Sequence, residues 1–277
     1  MKDGYWVVRT YESGIIGEKT KFWVQGDRPT SKSRRREKSE IRKQEQNEYS
    51  AVKQAARIMH ANFHKDDLLL GLDYSDAGLA KVYARARKTC PGFDRLTEEE
   101  QADLLWHAAE REMQLCIQRV ARDLKKDGIE LKYIAVTSDM DGDTGEKVRL
   151  HHHLVVQAGV GEAFRRKWAK YGTVDWKKLS KQADYTPIAE YLLRQVRRIP
   201  NVNKYNSSRN LARPRPKDRV VLSDAELRVP KGGKLLFRQE YKTNGTSDGE
   251  TWGRPQYIRY IIPEDKRKKG GQDDEKA

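Results

Sequence analysis

Residues 149–159 read RLHHHLVVQAG. Three of the chain's six histidines stand together at the start of an apolar run that closes on Ala-Gly. The run reads as a strand, and side chains alternate across a strand. His151 and His153 therefore share one face. His152 projects from the other, with Leu150, Leu154 and Val156. Two neutral imidazoles two residues apart on a rigid strand can converge on one metal ion, whereas His152 is expected to pack or hydrogen-bond. A histidine pair can also be a half-buried polar edge with no metal, so its meaning depends on its surroundings. An internal position between a turn and an apolar strand argues against an expression tag.

Working outward, IELKYIAVTSD (residues 129–139) is a second strand, and MDGDTGEK (140–147) is a turn-rich connector that makes the two a hairpin. Asp141 and Asp143 flank Gly142 in a spacing that breaks the calcium-loop pattern, so they read as an ordinary hairpin turn. Asp139 ends the strand and is the candidate third ligand. Two histidines and a carboxylate with open positions suit a hard or borderline divalent ion that polarises a phosphate oxygen.

Upstream, residues 97–128 form a helix. Thr97 with Glu100 fits a capping box, and Leu105, Ala109, Met113, Cys116, Ile117, Val120 and Leu124 make one apolar stripe. DLLLGLDYS (67–75) is a core strand, followed by a loop containing CPGFDRL (90–96). YWVVRTY (5–11) and KFWVQG (21–26) are short strands. A basic block at 32–43 leads into a helix from about residue 40. Downstream come a helix over 161–170 and an extended TVDWKKL (173–179). A further helix starts at Pro187, capped by Thr186, and runs through PIAEYLLRQVRR (187–198). Its core stripe is Ile188, Leu192 and Val196; Tyr191 and Arg194, three apart, are neighbours on an adjacent face. Residues 201–221 are basic and proline-broken, 223–263 irregular with short strands, and 264–277 a disordered tail. This order predicts an antiparallel sheet with helices on one face, an α+β class. The expected divisions are 1–60, with short strands and a basic helix, 61–215 as the main domain, and 216–277 as a C-terminal extension.

The 277 residues carry 56 Lys+Arg against 41 Asp+Glu, a net charge of +15. Such a chain is expected to bind polyanions, because each cation meeting a phosphate releases condensed counterions. Cys90 and Cys116 form neither a metal spacing nor a disulfide framework. No apolar stretch reaches membrane-span length, and no signal-peptide core opens the chain. A cytoplasmic location without membrane association is expected. No nucleotide-binding loop of the helicase type is found, so any unwinding falls to a partner.

LLLGLDYS, LKYIAVTSD, LHHHLVVQAG and AEYLLRQ, in that order, resemble the rolling-circle replication initiators of the HUH endonuclease superfamily, in the group carried by bacterial phages, plasmids and integrated elements. A lead-in at 37–63 and SRNL-x-x-P at 208–214 extend the likeness over residues 34–214. The resemblance implies a ferredoxin-like central antiparallel sheet with helices packed on it. It implies that His151 and His153 bind Mn²⁺ or Mg²⁺; relatives commonly add a Glu, Gln or other polar ligand from the strand before the histidines, and here, in a departure from that pattern, Asp139 is the candidate. It also implies that Tyr191 cuts a single-stranded origin, taking the 5′ phosphate. Many relatives have lysine three residues after the tyrosine. Arg194 stands there instead, and a guanidinium is a poor proton carrier, so its role is phosphate binding. Tyr185 lies outside the helix start, which points to a single-tyrosine enzyme. Arg34, Arg35, Arg36, Lys38, Arg42, Lys43, Lys204, Arg209 and Arg213 are the expected DNA contacts, and an origin hairpin, a host helicase and a DNA polymerase the expected partners. Rival readings are a transposase or relaxase with the same chemistry, a non-catalytic nucleic-acid-binding protein, and a zinc hydrolase, which lacks an evident third strong ligand and general base.

Overall fold

The structure, a computed structural model, describes residues 4–25, 40–179, 184–197, 203–221, 225–241 and 255–267, and only the backbone of 25 and 40–48. In chain order the elements are β1 (Gly4–Ser13), β2 (Ile16–Gln25), α1 (Glu40–Asn62), β3 (Leu68–Tyr74), α2 (Asp76–Thr89), α3 (Glu98–Lys126), β4 (Tyr133–Met140), β5 (Lys147–Val156), α4 (Gly161–Trp168), β6 (Gly172–Lys178), α5 (Thr186–Arg194), β7 (Asn206–Ser207), β8 (Lys217–Val221), β9 (Lys234–Glu240) and β10 (Gln256–Ile261). The class is mixed α+β with antiparallel sheets. Two compact units result: Ser50–Met59 with Phe63–Leu211, and Met1–Tyr49 with His60–Asn62 and Ala212–Ala277.

The first unit is built on the sheet β6-β3-β5-β4-β7. At its centre Leu154, Val155 and Val156 are all fully buried, so neither face of β5 can be left to water. Each such side chain contributes about 1.5–3 kcal/mol when removed from water. On one face Leu154 and Val156 join Leu70, Leu72 and Tyr74 of β3 against α2, α3 and α4. On the other, Val155, Leu69 and Val136 pack against residues 55–59 of α1 and against Ala189, Leu192 and Leu193 of α5. Helices thus cover both faces, which corrects the expectation of helices on one face: three consecutive apolar residues on β5 demand two apolar neighbours.

The long helix α3 is nucleated as its sequence predicts. Thr97 Oγ1 accepts from the Glu100 backbone and Glu100 reaches back to the Thr97 backbone. A helix, α2, stands where a loop was expected after residue 75. Ser75 caps it by accepting from the Gly78 N–H at 3.1 Å. Its buried residues are Gly78, Val82 and Ala86, a stripe too small to stand out as an apolar pattern. The helix carrying Tyr191 is shorter than expected, ending at Arg194. Thr186 is its first residue rather than its cap, and the Thr186 N–H is held by Asp184 Oδ1 at 2.9 Å.

The second unit holds the sheet β8-β1-β2-β10-β9. Its hairpin β1–β2 is flanked by β8 on one side and β10 on the other. Among the described residues no helix is long and apolar enough to cross a membrane.

Candidate active site

The triplet divides as its alternation predicts. His152 is fully buried. Its Nδ1 lies 3.0 Å from Thr137 Oγ1 and its Nε2 lies 2.9 Å from Tyr74 Oη. Burial, then the neighbouring His151 and His153, push its pKa well below the usual histidine value, so the ring is neutral. It joins β5 to β4 and to the end of β3 from the side opposite its two neighbours.

His151 and His153 meet on the other face, with Nε2 atoms 3.1 Å apart. The Oε1 of Gln195 lies 3.3 Å from each. Two contacts fix what these atoms present. His151 Nδ1 is 2.8 Å from the Arg149 carbonyl oxygen; a carbonyl only accepts, so Nδ1 carries a proton and Nε2 is the nitrogen that faces the cleft. Gln195 Nε2 donates to the Tyr191 carbonyl at 3.2 Å, which turns Oε1 towards the imidazoles. His153 is held by the Leu70 backbone, and burial beside His151 lowers its pKa to about 4, so it too is neutral near pH 7. With both rings protonated on the nitrogen that meets the backbone, three electron-pair donors converge on one point. Such an arrangement can take a cation among them. Donors bound to a common divalent ion at about 2.1 Å are about 3.0–3.4 Å apart, and the observed 3.1–3.3 Å matches this. A histidine ligand anchored by its other nitrogen to a backbone carbonyl is the usual arrangement at metal centres. The end of α5 adds the negative pole of a helix, which also favours a cation.

Asp139 is placed elsewhere. The pairing of β4 with β5 shifts register between Ser138 and Met140, and the Asp139 carboxylate takes Arg197 Nε at 2.9 Å. Arg197 also holds Asp103 of α3 at 2.6 Å. Burial raises the Asp139 pKa, against the opposing effect of Arg197. Among the described residues no three His, Cys, Asp or Glu side chains group as a metal site; the third donor beside the histidines is the amide of Gln195. Sequence reading missed it because it took the helix to run past residue 195. Asp141 closes its own turn, its Oδ1 accepting from the Asp143 and Thr144 N–H groups at 2.8 Å.

Tyr191 is 51% exposed, and its ring lies 5.6 Å from that of His153. It borders a cleft of about 530 Å³ together with His151, Gln195, Arg194, Arg149 and Glu190. Arg194 stands on the same cleft wall, one helical turn from the phenol. Gly142 closes the far side: a Cβ there would stand 3.2 Å from both Arg194 Cβ and Gln195 Cγ, so any other residue would need those side chains to give by a few tenths of an ångström. Of the expected DNA contacts, Arg34, Arg35, Arg36 and Lys38 lie outside the described residues, and of Arg42 and Lys43 only the backbone on α1 is described. Lys204, Arg209 and Arg213 do not line the cleft. Tyr185 is buried.

No protein-family model, curated protein or solved structure matches this chain.

Proposed function

We propose that the chain is a metal-dependent enzyme that nicks and rejoins single-stranded DNA through a tyrosine–phosphate intermediate, initiating rolling-circle replication of a phage, plasmid or integrated element, and that its first unit is an HUH endonuclease domain with a ferredoxin-like sheet. One observation carries the reading. His151, His153 and Gln195 converge on one point while the exposed Tyr191 stands beside His153 in the same cleft. A buried or distant phenol could not do this chemistry.

His151, His153 and Gln195 would hold Mn²⁺ or Mg²⁺; the two imidazoles favour Mn²⁺. When bound, such an ion would polarise a phosphate oxygen, and three neutral ligands would leave it its full charge for that task. Tyr191 Oη attacks phosphorus, the bond from phosphorus to the 3′ oxygen breaks, and the 3′ oxygen leaves as a hydroxyl after taking a proton from solvent. The phenolic proton passes to solvent at the open mouth of the cleft. Arg194 pairs with the phosphate, which fits a guanidinium that holds charge but does not shuttle protons. Reversal of the same steps rejoins the strand.

The test is incubation of labelled single-stranded DNA with the protein and Mn²⁺. A covalent adduct present in the wild type, absent from Tyr191→Phe and absent with chelator is the expected result. No adduct with any divalent ion would leave a non-catalytic nucleic-acid-binding protein.

A further inference from the structure

Tyr191 and Pro187 border a second recess of about 310 Å³, which His151 does not line. Its floor is apolar: Leu69 of β3, Leu179 and Ile188. Its rim carries Lys177 and Lys178. Leu69 pairs in register with both Val155 and Lys177, and directly opposed residues project from the same face. Lys177 therefore rises on the face that carries His153. Lys178 is tied to Asp66 at 3.3 Å, while Lys177 is exposed and makes no ion pair among the described residues.

The shape and charge suit an unpaired base. Apolar side chains beside an aromatic ring accept any base by stacking and apolar contact. A cation at the rim meets the negative backbone that accompanies the base. A peptide backbone carries no such charge. Pro187 and Tyr191 line both the recess and the cleft, so a strand whose phosphate met Tyr191 would have a neighbouring base within reach of the recess.

We infer that the recess bounded by Leu69, Leu179, Ile188 and Lys177 is a nucleobase pocket, which seats the base next to the scissile phosphate and sets the strand's register on Tyr191. This rests on the nuclease reading for its biological meaning, but its test is independent of cleavage. Short single-stranded oligonucleotides of mixed sequence, each with one 5-iododeoxyuridine, are bound to full-length Tyr191→Phe protein with Mn²⁺, irradiated and mapped by peptide mass spectrometry. Crosslinks into the segments containing Leu179 or Ile188 are expected. Ile188→Asp should abolish them and weaken binding about ten-fold, the value of one stacked base. Lys177→Glu, on an exposed side chain and therefore safe for folding, should reduce both. Crosslinks that fall only elsewhere, or that persist unchanged in Lys177→Glu, would overturn the pocket, as would absence of binding. Crosslinking without a wild-type covalent adduct would keep the pocket and sink the nuclease.

Discussion

The side-chain oxygen of Gln195 lies 3.3 Å from Nε2 of His153, across 42 positions of chain. A helix end and a central strand thus meet at one point. Gln195→Ala leaves both imidazoles and removes the oxygen. Mn²⁺ affinity in a calorimetric titration is expected to fall about 10- to 100-fold, and His151→Ala to lose measurable binding. Unchanged affinity in Gln195→Ala would remove the glutamine from the ligand set.

Asp139 distinguishes a ligand from a support. Asp139→Asn breaks the ion pair between buried Asp139 and half-buried Arg197 and should cost about 1–3 kcal/mol in urea unfolding, with Mn²⁺ affinity changed by no more than about three-fold. A loss of affinity as large as that of His151→Ala would restore the aspartate as a ligand.

His152 is expected to matter for folding rather than chemistry. Replacement by leucine leaves the Tyr74 and Thr137 hydroxyls without their partner in a dry interior. The cost should be about 2–5 kcal/mol. Adding Thr137→Val should return part of it, a coupling that a double-mutant cycle reads directly.

Stability should fall on mild acidification. His152 and His153 have folded pKa values below the ordinary 6.5. Below pH 6.5 the unfolded chain binds protons that the folded chain refuses, so stability is complete above that pH and declines beneath it. Each ring removes up to about 1.4 kcal/mol per pH unit, and the His153 contribution levels off near pH 4. Urea midpoints between pH 7 and 5 measure the slope, and His153→Asn should flatten it by about one proton. An equal slope in the variant would contradict the low pKa.

Local physics made much of this readable from residues alone. The period of two told His152 from its neighbours, and the capping box with its stripe gave α3. Tyr191 and Arg194 share the cleft because three residues make nearly one helical turn. What remained hidden depends on distant contacts. Helix α2 buries only a glycine, a valine and an alanine, so hydrophobic periodicity is faint. Gln195 gains its role because α5 stops one residue before it, at a place where Gly142 lets the hairpin connector close in. The joining of β2 to β10 leaves no local trace, because its partners stand at opposite ends of the described chain.

That last pairing bears on biosynthesis. A ribosome releases β1 and β2 long before β8, β9 and β10, and the intervening unit has all its strands by residue 207. The middle of the nascent chain can therefore mature while the earliest hairpin waits with both edges bare, exposed to wrong partners. Truncated products ending before residue 217 would carry that sticky hairpin permanently, and their insolubility would reveal an obligatory order of assembly.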